Sequence, residues 1–248
     1  QKHLTQYDIF IAEDFFNGLA DEDMLTIEDK LGEYSDCIII FLESPSSIAE
    51  LGAFSNNPKL VKNILIINDG KFKEKKDSFI SNGPIKKVDS VSQYKPTIYC
   101  DISAVLKNVE EIKTRLDSQK RKYNKRIDLS DIDRYSRLDS KKKMLFLLDL
   151  ITLLQPVSES ELVTILKAII GEGRYKIDFD LQLLKMLGYI KNINKYFIKV
   201  KRIEKMYFVF EKHKSLPKIR SIVLNSYRKN DKKRFDQYLS TLGYKNAN

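Results

Sequence analysis

The sequence predicts an α/β domain with a parallel sheet, followed by a second, α-rich domain of strongly basic character. Three observations carry that prediction. Residues 37–42, Cys-Ile-Ile-Ile-Phe-Leu, are apolar at every position, the mark of a strand covered on both faces. Residues 61–67 form another apolar, β-branched run after a stretch that reads as helix, and strands alternating with helices build parallel sheets. The charge is divided as well. Residues 1–140 hold 21 Lys+Arg against 24 Asp+Glu, whereas residues 141–248 hold 23 against 10. An asymmetry of that size points to a polyanionic partner for the second part and not for the first. A merely soluble basic domain is the plainer alternative.

Taken in order, Tyr7 to Ala12 reads as a strand, followed by Glu13-Asp14-Phe15-Phe16. Asp21 to Tyr34 has apolar residues at Met24, Leu25, Ile27 and Leu31, the spacing of an amphipathic helix. Ser35 to Leu42 is the expected central strand. A turn of small residues follows, in which Pro45 fits at or just before a first helical turn. Ile48 to Asn56 is the helix, and it places Glu50 near its first turn, just past the carboxyl end of a strand. Open α/β sheets bind ligands there, and the helix dipole keeps a carboxylate ionised. A first-turn glutamate with no other task is the bland reading of the same residue. Val61 to Ile67 is the next strand, Lys71 to Lys87 a long loop with Asn82-Gly83-Pro84 as its turn, Pro96 to Tyr99 a short strand and Ser103 to Leu116 a helix. That order is Rossmann-like, with one omission: a first strand and Gly-rich loop are expected ahead of residue 7. The reading therefore expects part of one pocket wall to be missing.

Residues 119–139 are rich in charge without an apolar face and read as a linker, which bounds the domains at 1–118 and 140–248. Beyond it, Met144, Leu145, Leu147, Leu148, Ile151 and Leu154 mark a helix ended by Pro156. Ser158-x-x-Glu161 is a capping box for a helix over Glu159 to Ile170. Ile177 to Leu187 is a third helix, stopped by Gly188. Two strand-like runs follow, Tyr189 to Lys191 and Tyr196 to Val200, and helices near Leu216–Tyr227 and Lys232–Leu242 close the chain. Three helices and a hairpin in this order, with Leu183 to Ile190 as the helix-to-wing junction, resemble a winged helix-turn-helix domain. Lys185, Lys191, Lys195, Lys199, Lys201 and Arg202 cluster there, with Tyr189, Tyr196 and Phe197 interleaved. They suit a phosphate backbone; aromatics as hairpin core and lysines as solvated edge is the alternative.

No Gly-x-Gly-x-x-Gly, Walker loop or metal-spaced Cys/His cluster occurs, and His3 and His213 lie outside every motif. No cofactor is therefore called for. Cys37 and Cys100 read as small buried hydrophobes of a reducing compartment. No apolar stretch approaches 18 residues and no signal peptide is evident, so the expectation is a cytoplasmic protein with no membrane contact.

Glu43-Ser44-Pro45-x-Ser47, Glu50 to Asn57, Lys71-Phe72-Lys73 and Ser78-Phe79-Ile80-x-Asn82-Gly83-Pro84 occur in that order. The segment resembles the strand–loop–helix of nucleoside 2-deoxyribosyltransferases and, more closely, the deoxyribosyltransferase-like effector proteins of bacterial retrons. The resemblance runs from about Tyr7 to Val88. It implies that Glu50 is the nucleophile or charge-stabilising carboxylate at the anomeric carbon of a ribosyl group. Asp14, Glu13 or Glu43 would assist base departure. Ser44 stands where deoxyribosyltransferases carry an aspartate, which favours hydrolysis of a nucleotide, NAD first, over base exchange. Ser46 and Ser47 either cradle a phosphate or simply cap the helix. Asn82, with Lys71 and Lys73, is a candidate lid contact. The resemblance further implies an anti-phage toxic N-glycosidase, restrained by a reverse transcriptase and its multicopy single-stranded DNA (msDNA), with assembly as a homo-oligomer left open. The rival is a DNA-binding regulator whose α/β domain senses a nucleotide without turnover.

Overall fold

The computed structural model describes residues 4–16, 23–75, 77–119, 127–128, 135, 138–200, 206–209 and 216–242. The protein is mixed α/β and divides into two compact units, at 1–122 and 123–248. Among the described residues no helix is long and apolar enough to cross a membrane.

The first unit runs α1 (Ala12–Phe16), α2 (Met24–Tyr34), β1 (Ile38–Phe41), α3 (Pro45–Asn56), β2 (Ile64–Asp69), α4 (Lys86–Val91), β3 (Ile98–Cys100) and α5 (Val109–Ser118). Its sheet is wholly parallel in the order β1-β2-β3, with Ile38 opposite Ile64 and Ile67 opposite Ile98. The central strand is therefore β2, and β1 stands at one side of it. The expected central role of residues 35–42 is corrected accordingly. Burial agrees: residues 64–68 of β2 are all buried, whereas of β1 only Ile40 is. Successive β2 side chains serve opposite faces. Ile64 and Ile66 join Leu51 and Phe54 of α3 in one core cluster, and Leu65 and Ile67 join Tyr94, Ile98 and Ile112 in the other. Each such buried aliphatic side chain contributes roughly 1.5–3 kcal/mol.

Two further expectations in this unit are corrected. Residues 8–11 belong to no strand, and α1 begins at Ala12. Ile11 is 46% exposed, so the run lacks the two covered faces that a parallel strand needs. The amphipathic helix expected before β1 does form, as α2, with Ile27, Leu31 and Gly32 buried and Met24 and Leu25 exposed. The stretch 71–87 is not a continuous loop. A 3-10 turn at Gly70–Phe72 and a π turn at Ser81–Ile85 lead directly into α4. Pro84 has no N–H for the helical ladder, and the wider π turn passes over that gap.

The second unit runs β4 (Ile127–Asp128), α6 (Ser140–Leu154), β5 (Val157–Ser158), α7 (Glu159–Ile170), α8 (Asp178–Met186), β6 (Ile190–Ile193), β7 (Tyr196–Lys199), β8 (Phe208–Val209), α9 (Leu216–Asn230) and α10 (Lys232–Thr241). Strands β5, β7 and β6 form an antiparallel sheet in that order, and β4 pairs with β8 in parallel. Helix α6 is buried over most of its surface, as a helix apolar all round must be. The capping box at Ser158 and Glu161 forms, and α7 takes the span read from it. Gly188, at φ 71°, ends α8: its N–H donates to the Lys185 carbonyl and that of Tyr189 to Leu184, a Schellman pattern.

Candidate active site

Strand β1 hands over to α3 through three residues. The Leu42 N–H donates to the Ile67 carbonyl at 2.9 Å, and the Glu43 N–H to Phe41 at 2.9 Å. Ser44 then caps α3, with Pro45 in the first turn. The Ser44 Oγ accepts from the Ser47 N–H at 3.2 Å, and the Ser47 Oγ accepts from the Ser44 N–H at 3.2 Å and donates to the Ser44 carbonyl at 3.0 Å. Of the two readings of these serines, this geometry is that of capping. Ser46 is exposed, and Ser47 is buried.

Because α3 opens at Pro45 rather than Ile48, Glu50 lies in its second turn. The dipole acts mainly within the first turn, so it lends the Glu50 carboxylate little of the support expected of it. Burial raises the Glu50 carboxyl above the ordinary glutamate range, and the charge of Glu13 adds to it. Glu28 on α2 is pushed up to about 7, chiefly by burial and then by Glu50, Glu13 and Asp29. Glu28 and Glu50 are both half-buried. Acids from α1, α2 and α3 thus share one field, and a proton-holding acid beside a carboxylate is a usable acid–base pair.

Glu28 was not legible as a site residue. Its one signal is its place next to the buried Ile27, at the flank of the α2 apolar stripe. Glu13, rather than Asp14, is the α1 acid whose charge reaches Glu50. Asp14 and Glu43 are both exposed. Asp14 also sits on a helix, not at a strand end. Asn82 is exposed on the π turn that packs against α3, and its N–H donates to the Ser78 carbonyl at 3.0 Å. Phe79 beside it is 85% exposed. Lys71 pairs with Asp69 at 2.8 Å.

A hollow of about 430 Å³ lies between α2 and the carboxyl end of α3, lined by Leu25, Asp29, Ala53, Asn56, Asn57 and Pro58. Ala53 follows Glu50 by one turn and Leu25 precedes Glu28 by one. The hollow therefore adjoins the acid pair rather than the serine-rich turn. Among the described residues no group of His, Cys, Asp or Glu has the arrangement to hold a metal ion. Cys37 and Cys100 are free thiols.

In the second unit Lys185, Lys191 and Lys195 are exposed. The Lys185 ammonium lies 5.9 Å from the Phe197 ring centre and that of Lys195 5.3 Å from the Tyr196 ring. Lys199 is half-buried, its ammonium pKa lowered by burial while the nearby Asp149 opposes the shift. Lys201 and Arg202 lie outside the described residues. Phe197 is buried, and Tyr196 is held under the Arg234 guanidinium at 4.5 Å. These two aromatics are hairpin packing.

An α/β unit carrying a cluster of acids with raised pKa values, joined to a basic unit, has counterparts among known proteins. The family model described as STM3845 retron effector protein matches residues 1–192, and the chain belongs to that family. Two curated relatives from Escherichia coli are similar to it. The one named "Retron Ec86 putative ribosyltransferase/DNA-binding protein" is 45% identical over 86 residues, 33% of this chain and 28% of that protein. The one named "Retron Ec73 putative ribosyltransferase/DNA-binding protein" is 32% identical over 209 residues, 76% of this chain and 63% of that protein. The chain thus spans less than two thirds of the length of either relative.

Proposed function

We propose that this retron effector is an anti-phage N-glycosidase that hydrolyses a nucleotide, NAD first, and that its second unit docks on a reverse transcriptase–msDNA complex that restrains it. The α/β unit, residues 1–118, is on this reading Rossmann-like and deoxyribosyltransferase-like. Residues 119–139 are its linker, and residues 140–248 a basic winged-helix domain. The protein works in the cytoplasm, off the membrane, and homo-oligomers are compatible with the scheme. The observation that carries the reading is Glu50: a half-buried carboxylate beside Glu28, on the helix that follows a parallel strand.

In the reaction, the bond from C1′ to the base nitrogen breaks with its electron pair on the departing base. From NAD, nicotinamide leaves neutral and needs no proton. The ionised Glu50 stabilises the cationic C1′ or bonds to it. Water then adds to C1′, and its proton passes to the Glu28 carboxylate and on to solvent. Asp14 and Glu43 are the alternative proton carriers. Ser44, Ser46, Ser47 and Asn82 border the substrate, Ser44 and Ser47 by holding the turn in shape.

The test is release of free base from NAD and a panel of nucleotides by the full chain, alone and with its reverse transcriptase–msDNA partner. Glu50→Gln should lower release by roughly a thousandfold or more, since the charge acts in the transition state. Glu28→Gln, Asp14→Asn and Glu43→Gln in the same assay identify the proton carrier. Tight nucleotide binding with no release in any condition, and affinity kept in Glu50→Gln, would instead make the protein a nucleotide-sensing DNA-binding regulator.

A further inference from the structure

Four exposed cations of the second unit meet at one corner. Helix α9 ends in Arg228 and Lys229, and α10 opens with Lys232 and Lys233; all four are exposed. Asp231 joins the two helices, its side chain accepting the Arg234 N–H at 3.1 Å. The β6–β7 turn is fastened to the same corner. The Tyr196 hydroxyl donates to Asp231 Oδ2 at 3.4 Å, and the Arg234 guanidinium lies 4.5 Å from the Tyr196 ring centre. Lys195, adjacent to Tyr196, is exposed and so brings a fifth cation.

The nearby acids do not cancel this charge. Asp231 is engaged as the α10 cap, and Glu161 is paired with Arg234 at 2.7 Å. Glu159 is exposed and borders, with Lys195, a hollow of about 550 Å³. Asp236 stands one turn along α10 from Lys232 and Lys233, and five cations against Glu159, Asp236 and the capping Asp231 still leave a positive surplus. Helix α8 is the opposite case. It carries Asp178 and Asp180 against Lys185, with Asp180 buried and Lys185 leaning on Phe197. A helix of that charge gains nothing from a groove walled by phosphates.

We propose that the corner formed by the α9–α10 junction and the β6–β7 turn grips the phosphate backbone of a nucleic acid, through Lys195, Arg228, Lys229, Lys232 and Lys233. The inference rests on the nucleic-acid reading of the second unit, and it moves the contact from α8 to the corner. Cations on long stems reach phosphates and carry no base readout, so the grip is independent of sequence.

The experiment is fluorescence anisotropy of the full chain with a labelled DNA duplex of about 20 base pairs across a salt series. Five phosphate contacts predict a log–log salt slope of about −4 to −5. The variant R228Q/K229Q/K232Q/K233Q should flatten that slope by about 3–4 and weaken binding roughly tenfold or more at low salt. K195Q, on the hairpin rather than the helices, should flatten it by about 1. K185Q, on α8, should leave slope and affinity as in the wild type. Unchanged melting temperatures keep folding out of the comparison. Wild-type binding by the fourfold variant together with loss in K185Q would overturn the corner while leaving nucleic-acid binding in place. A wild-type chain that binds no duplex, even at low salt, overturns both.

Discussion

Asp149 is fully buried on α6, its Oδ2 accepting the Phe208 N–H at 2.8 Å, and the Tyr207 N–H also serves its carboxyl. Burial pushes its carboxyl from 3.8 up to about 7, with the Phe208 and Tyr207 N–H groups and then Lys199 pulling the other way. An acid with a higher pKa folded than unfolded binds its proton more tightly in the folded state. Stability is therefore full below pH 4 and falls as pH rises to about 7. Asp149→Asn keeps an oxygen for Phe208 and removes the ionisation. Thermal melting should find the variant above the wild type at pH 8, with the gap narrowing as pH falls and closing below about pH 4. A wild type that melts higher at pH 8 would mean that the backbone donors and the charge of Lys199 outweigh burial. The sequence reading of this helix rested on its apolar residues and passed over Asp149, although one acid inside an apolar run is the usual sign of a group with a specific partner. Glu50 stands out in the sequence through the strand, turn and helix around it, and its catalytic role is part of the proposal. Glu28 does not stand out, because what distinguishes it is the charges of α1 and α3, and no local pattern encodes neighbours from other elements.

At the scale of elements, Arg234 fastens α10 to the start of α7. Its guanidinium donates to Glu161 at 2.7 and 3.0 Å and to the Pro156 carbonyl, and it stacks 3.7 Å from the Tyr227 ring centre. Arg234 is 4% exposed, but Glu161 keeps some solvent and can rehydrate. Arg234→Ala should therefore cost about 2–3 kcal/mol, the range for hydrogen bonds to a charged group. Arg234→Lys should recover only part of it, since an ammonium lacks the planar fork. Denaturant unfolding reads both; a loss below about 0.5 kcal/mol would place Arg234 among surface charges. Elements with local signals were legible. The Ser158–Glu161 box set α7, and Gly188 ended α8. Residues 8–11 misled because apolar character does not say whether a strand partner exists. The Asn-Gly-Pro part of 71–87 misled because those residues punctuate turns, yet here the π turn Ser81–Ile85 packs against α3 and stays helical.

For the whole molecule, the uneven charge separates two tasks. The overall charge of +10 arises from residues 141–248, since residues 1–140 hold more acids than bases. Glycosidic chemistry on the present reading needs the acids of the first unit, and backbone binding the cations of the second. Glu50→Gln changes the net charge by a single unit, and exposed charges act over about 10 Å at 0.1 M salt. The variant should thus lose base release while holding duplex affinity within about twofold at that salt. The fourfold corner variant should show the reverse, with duplex binding lost and the nucleotide affinity of the isolated chain kept. Running both variants through both assays tests the division directly. A tenfold loss of duplex affinity in Glu50→Gln would show that the nucleotide site and the nucleic-acid surface are coupled. Coupling of that size is about 1.4 kcal/mol, and by reciprocity bound nucleic acid would then alter nucleotide affinity by the same factor.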